Sequence, residues 1–101
     1  MTKIEEPHVW IFNGQGSFPS GAFATRESAE AWIRQHRLTG TLTCYPLGKG
    51  IYDWAIELGY FKPKRDGHTT PEFIGAFSSA YQDHYHYENG LEPGAEDSEA
   101  E

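Results

Sequence analysis

The feature that most constrains this sequence is one amphipathic helical segment set among short β-rich runs. The spacing i, i+3, i+4, i+7 of a helix face is occupied by Ala29, Trp32, Ile33 and His36. Thr25 is a suitable N-cap because its hydroxyl can accept a hydrogen bond from the first turn. Gly40 supplies a left-handed stop. We therefore predict a helix over residues 26–38 whose apolar face, with Trp32, packs into a core.

Several shorter elements surround this helix. Alternating or β-branched runs predict strands over residues 8–13, 21–24, 41–45 and 77–87. A second helical face predicts a short helix over residues 51–58, and Thr70-Pro71 predicts one further helical turn. The order is ββαβ, a helical insertion, then β. This order predicts an α+β fold with a small antiparallel sheet and helices packed on one face.

The length and charge of the chain limit its organisation and partners. With 101 residues, 38% hydrophobic and 23% charged, the composition is that of one globular domain without a membrane span. We expect a flexible lead-in (1–7), one α+β domain (8–88) and a disordered acidic tail (89–101). The net charge is −7, but only −2 remains up to Gly90, so no basic footprint for nucleic acid is present. No secretory signal is visible, so we expect a cytoplasmic protein.

Polar residues offer few complete sites. The single cysteine, Cys44, excludes a disulfide framework, and a catalytic role would need a nearby base such as His84. His84 and His86 alternate on a predicted strand, so both imidazoles share a face and could hold a metal if Asp53 or Glu88 closed in. Two histidines do not make a closed shell, so we predict no tight metal site, no catalytic residues and no cofactor.

Aromatic residues are more numerous than a small core needs. The chain has three Trp, six Tyr and six Phe residues, and surface Tyr and Trp are common anchors of protein interfaces. We assign Trp54 to the core because it lies on the apolar face of its helix. The predicted binding residues are six other aromatic residues of the second helix, the loop after it and the last strand: Tyr52, Tyr60, Phe61, Tyr81, Tyr85 and Tyr87.

About four-fifths of the chain resembles a family of small stand-alone bacterial proteins of uncharacterised function. The resemblance rests on the runs Val9-Trp10-Ile11-Phe12-Asn13-Gly14, Pro19-Ser20-Gly21-Ala22-Phe23, Tyr52-Asp53-Trp54-Ala55-Ile56, Phe61-Lys62-Pro63-Lys64 and His84-Tyr85-His86-Tyr87. It implies a bacterial source and a compact single domain, and it brings no activity or assigned site. In general character such domains are similar to the immunity proteins that neutralise bacterial toxins.

Two hypotheses of function follow from the sequence. The first is a non-enzymatic protein-binding domain, with an immunity-type inhibitor of a toxin as its most specific form. The second is a small ligand-binding protein or enzyme with an aromatic cleft and His84, His86, Asp53 and Cys44 as its polar groups. A flat exposed aromatic patch would favour the first hypothesis, and an apolar pocket with convergent histidines would favour the second.

Overall fold

The computed structural model describes residues 7–92. Its four strands are β1 (His8–Asn13), β2 (Gly21–Phe23), β3 (Gly40–Pro46) and β4 (His84–Tyr87). Its three α-helices are α1 (Arg26–His36), α2 (Ile51–Glu57) and α3 (Pro71–Gly75), and a 3-10 helix at Asp66–Thr69 precedes α3. The α+β class and the predicted order of elements are confirmed.

The four strands form one antiparallel sheet in the order β2-β1-β3-β4. Trp10 of β1 lies opposite Cys44 of β3, and Phe12 lies opposite Leu42. These four side chains share one face of the sheet and are at most 3% exposed. The alternate residues point to the other face, so strand alternation divides the sheet into a core face and an open face.

Helices α1 and α2 cover the core face. The side chains they bury there are Ala29, Ile33, Ile51, Trp54 and Ala55. Trp32 differs from the prediction: it is only partly buried and packs at the rim against Phe12 and Phe23, with ring centroids 6.0 and 5.3 Å away. Ile33, one residue further round the helix, takes the central position instead.

The start of α1 agrees with the sequence, and its end does not. Thr25 accepts a hydrogen bond from the backbone N–H of Ser28, which caps the helix as predicted. The helix ends at Arg37, which itself adopts the left-handed conformation (φ 55°). The predicted stop at Gly40 is therefore wrong. Gly40 is the first residue of β3, where a side chain would meet the backbone of β1 at Asn13.

The last strand is shorter than predicted. The segment before His84 turns instead of extending, because the N–H of Gln82 donates to the carbonyl of Ser79. The Gln82 side chain is 2% exposed and donates to the backbone carbonyl of Cys44 at 3.1 Å. Gln82 therefore lies inside, although the alternation predicted it on the face that holds His84 and His86. From His84 to Tyr87 the predicted alternation is confirmed.

The chain folds back after β4. Asn89 and Gly90 both have positive φ (54° and 87°), and Glu88 forms a β-bridge with Leu91. Glu92 then lies 3.4 Å from the guanidinium of Arg26. Residues 89–92 thus pack with the folded domain, although the sequence predicts a tail over 89–101. The reason is the Asn-Gly pair, which favours a tight hairpin turn because both residues readily adopt positive φ.

The rest of the predicted tail (93–101) and most of the predicted lead-in (1–6) lie outside the described residues. Pro7, the last residue of the lead-in, accepts a hydrogen bond from the N–H of Leu47 at 2.9 Å. Between Pro7 and Glu92, no helix is long and apolar enough to cross a membrane.

Candidate functional site: an aromatic surface beside helix α2

Two of the predicted binding tyrosines face the core side of β4. Tyr87 is only 5% exposed, and its hydroxyl donates to a Glu30 carboxylate oxygen at 2.6 Å. Burial, and then the neighbouring Glu30 carboxylate, raise the pKa of Tyr87. Tyr85 is half-buried, and the Arg26 guanidinium lies over its ring at 3.4 Å from the centroid. Tyr87 is therefore a core residue, and one face of Tyr85 is already covered.

Two further candidates hold the helical insertion together. Tyr52 donates its hydroxyl to the carbonyl of His68 at 2.8 Å, and Phe61 lies 4.8 Å from Phe77 between ring centroids. The His68 imidazole stacks on Phe73 at 4.9 Å. We call Tyr52, Phe61, His68, Phe73 and Phe77 the insertion cluster. Its rings are half-buried against one another, so Tyr52 and Phe61 are primarily packing residues.

The remaining two candidates form an exposed stacked pair. The rings of Tyr60 and Tyr81 are 4.2 Å apart and nearly parallel, at 7°. The inner ring, Tyr60, rests on the buried Trp54 with centroids 5.5 Å apart, and the outer ring, Tyr81, is 52% exposed. Leu58, two residues before Tyr60, is 49% exposed. We call Leu58, Tyr60 and Tyr81 the tyrosine surface.

Local geometry explains how this surface forms. The left-handed Gly59 (φ 80°) ends α2, and the N–H of Tyr60 then donates to the carbonyl of Ala55 at 2.8 Å. This hydrogen bond holds Tyr60 against the end of the helix. Tyr81 reaches it from the turn before Gln82, where its N–H donates to the Ser79 hydroxyl at 3.1 Å. Within residues 7–92, neither tyrosine hydroxyl has a hydrogen-bond partner.

A basic loop follows the tyrosine surface in the chain. Lys62, Lys64 and Arg65 are exposed, and none of them forms an ion pair with another described residue. The N–H of Lys64 donates to Nδ1 of His68 at 3.1 Å, which ties the loop to the insertion cluster. The loop therefore adds positive charge next to the tyrosine surface in the chain, and no described acidic side chain forms an ion pair with it.

The polar residues of the ligand or enzyme hypothesis do not converge. Cys44 is completely buried on the core face, whereas His84, which pairs with Thr43, is exposed on the open face. Asp53 is exposed on α2. No three His, Cys, Asp or Glu side chains in the described part of the chain could hold a metal ion together. The polar groups that the second hypothesis names therefore lie on the two faces of the sheet and on α2, and they do not form one aromatic cleft.

Cys44 should be chemically inert in the folded protein. Burial, assisted by the nearby Asp83 carboxylate, raises the pKa of the thiol to about 11. At pH 8 only about one thiol in a thousand would then be ionised, against about one in four for an ordinary cysteine. We expect Ellman's reagent to label native protein at least about 100-fold more slowly than protein in 6 M guanidinium. Comparable rates would show that the thiol is accessible.

The clefts beside α1 do not use the predicted polar residues either. One, of about 280 Å³, is lined by His8, Trp10 and Tyr85 together with the start of α1. Another, of about 540 Å³, lies between the β1–β2 loop and the end of α1, with Phe18 and Trp32 in its wall. Neither is lined by His84 or His86. The tyrosine surface is thus the feature that best fits the expectation of an exposed aromatic patch.

Comparison with known proteins adds the family. No curated protein and no solved structure matches the chain. A family model described as Domain of unknown function (DUF7710) matches residues 9–93, which is most of the chain and includes both the open face of the sheet and the tyrosine surface. The protein therefore belongs to the DUF7710 family.

Proposed function

We propose that this protein is a non-enzymatic binding domain that recognises another protein through the tyrosine surface. The observation that carries the proposal is the Tyr60–Tyr81 stack, which is exposed on its outer side and has two hydroxyls without hydrogen-bond partners among the described residues. Tyrosine combines a large apolar ring with a polar tip, which is why it is frequent among the residues that dominate interface energies.

The stack is also organised before any partner arrives. Tyr60 is held from below by Trp54 and through its backbone by Ala55, and it supports Tyr81 over a parallel ring face. A side chain already fixed in its bound orientation loses less conformational entropy on association, which favours affinity. The exposed Leu58 and Lys62 flank Tyr60 in the chain, where they can extend the apolar area and contribute to a polar rim.

An immunity-type inhibitor of a bacterial toxin, acting in the cytoplasm of its producer, is the most specific form of this proposal. The small size of the α+β domain, its exposed aromatic pair and the overall charge of −7 support it. Because most of that charge lies after Gly90 and the loop that follows Tyr60 is basic, the acidic segment rather than the tyrosine surface would attract a basic toxin, and it would raise the association rate more than the affinity. The clefts described above are not lined by His84 or His86, so they do not support the alternative of a small-molecule site or active site in an aromatic cleft.

The experiment compares three purified variants in partner capture from the source organism. We expect the wild type to retain a defined protein, and Tyr81→Ala to weaken its binding by at least about 2 kcal/mol, the loss typical of an interface hot spot. Phe18→Ala is the matched control because Phe18 is 81% exposed but lies outside the tyrosine surface. Tyr81→Phe retains the stack and separates the contribution of the hydroxyl from that of the ring.

Thermal midpoints of the three variants should stay close to that of the wild type, since both altered rings are mainly exposed. If Tyr81→Ala and Phe18→Ala bind the captured protein equally well, the tyrosine surface is not the interface. If no protein is retained and a small molecule copurifies instead, the domain binds a ligand rather than a protein.

A further inference from the structure

The open face of β4 carries two histidines at the separation that one metal ion requires. His84 and His86 are both exposed, and their ring centroids lie 5.4 Å apart at an interplanar angle of 87°. Two imidazole nitrogens bound to one tetrahedral ion at about 2.0–2.1 Å place the ring centres about 5 Å apart. The folded strand therefore holds the two rings close to a chelating distance, whereas neighbouring histidines in an irregular loop would have to be ordered first.

The tautomer of the His84 ring is set by the backbone carbonyl that its Nδ1 contacts. Nδ1 of His84 lies 2.8 Å from the carbonyl oxygen of Gln82. A carbonyl oxygen can only accept, so Nδ1 carries the proton and Nε2 keeps its lone pair in the neutral ring. Gln82 is buried and is itself fixed by its hydrogen bond to Cys44. An imidazole that donates its other N–H to a backbone carbonyl is the usual arrangement of a metal-binding histidine.

His86 is positioned across the sheet. Its Nδ1 lies 3.3 Å from the hydroxyl oxygen of Thr41, its partner in the β3–β4 pairing. A hydroxyl both donates and accepts, so this contact orients the ring, and Nε2 of His86 binds a metal in the tautomer whose Nδ1–H donates to Thr41. The residue paired with His84 is Thr43, and Thr43 pairs in turn with Ile11 of β1. No cationic side chain stands among these open-face neighbours to repel a metal ion.

We propose that Nε2 of His84 and Nε2 of His86 form a two-ligand site for a borderline divalent metal, with Cu²⁺ bound more tightly than Zn²⁺. Imidazole suits both ions, and sites of this type follow the order in which Cu²⁺ exceeds Zn²⁺. Between Pro7 and Glu92 no third protein ligand completes the shell, so water takes the other coordination positions. With only two protein ligands, Zn²⁺ should bind with a Kd weaker than about 1 μM.

The test is calorimetric titration of the tag-free chain with CuCl₂ and, separately, ZnCl₂ in a non-chelating buffer. We expect one Cu²⁺ per chain, and at least about a tenfold loss of affinity in either His84→Gln or His86→Gln, because even the loss of a supporting group costs 10–100-fold. The matched control is His36→Gln, which removes another exposed imidazole from α1, away from β4. The electron paramagnetic resonance spectrum of the Cu²⁺ complex should show two coordinated imidazole nitrogens.

Circular dichroism and thermal midpoints establish that the variants remain folded, and both histidines are exposed enough for this to be expected. Equal affinities in the wild type, His84→Gln and His86→Gln would overturn the proposal, and so would an equal loss in His36→Gln. Tighter binding of Zn²⁺ than of Cu²⁺ would contradict the two-ligand site, because an open imidazole site without imposed geometry follows the order in which Cu²⁺ exceeds Zn²⁺. None of these results depends on the tyrosine surface.

Discussion

Replacing Phe12 by alanine should lower the free energy of unfolding by about 3–5 kcal/mol, the cost of removing a fully buried large ring. Phe12 is 1% exposed at the centre of the sheet, opposite Leu42 and beneath α1. Urea unfolding followed by circular dichroism measures the change, with a constant m-value as the check that the denatured state is unaffected.

Trp32→Ala is the informative comparison for Phe12→Ala. Trp32 is the larger residue, but it is only partly buried and packs at the rim against Phe12, Phe23 and His36. Its removal leaves a depression open to water rather than a closed cavity, so the loss should be smaller than for Phe12→Ala. If the free energy of unfolding falls as much as in Phe12→Ala, or more, Trp32 is as central to the core as the helix periodicity predicts.

Gly40→Ala should destabilise the protein by about 3 kcal/mol or more, at the upper end of the cost of overpacking. A Cβ at Gly40 would collide with the carbonyl oxygen of Asn13 and lie 2.8 Å from both the Gly14 Cα and the Phe12 ring. Two of these atoms belong to the backbone of β1 and the residue after it. The clash can be relieved only by separating β1 from β3, which would break the central pairing of the sheet.

Gly16→Ala is the control for this substitution. A Cβ at Gly16 meets no heavy atom within 4 Å, and its φ is not in the left-handed region. The stability of Gly16→Ala should therefore stay within about 0.5 kcal/mol of the wild type. An equal unfolding midpoint for the two variants would mean that β1 and β3 are less closely packed than described.

Elements with local signals were predictable from the sequence. Thr25 caps α1 through a hydrogen bond that spans three residues, and Thr70 caps α3 in the same way before Pro71. Such contacts involve neighbouring residues, so their side-chain types are sufficient evidence. The Asn89-Gly90 turn belongs to the same class, because its conformation depends on two neighbouring residues that readily adopt positive φ.

The candidate sites depended on distant contacts to different degrees. His84 and His86 share a face because they alternate on one strand, which the sequence predicts. The prediction of Tyr81 as a binding residue assumes that the same alternation extends back to residue 77, but β4 begins at His84. Its exposure has another cause: it stacks on Tyr60, a residue 21 positions earlier in the chain. No local pattern contains that pairing.

The sequence by itself determined the type of domain. Its short strands, helix caps and apolar helix faces predict an α+β fold, because cap hydrogen bonds and the periodicity of side chains involve only residues that are close in the chain. What the tertiary structure decided was which polar and aromatic groups are available. The Gln82 side chain is buried where it donates a hydrogen bond to the backbone carbonyl of Cys44. The Tyr87 side chain is buried where its hydroxyl donates a hydrogen bond to the carboxylate of Glu30. A buried polar group is tolerated only where a distant segment satisfies its hydrogen bonds, and that condition is a property of packing rather than of residue order.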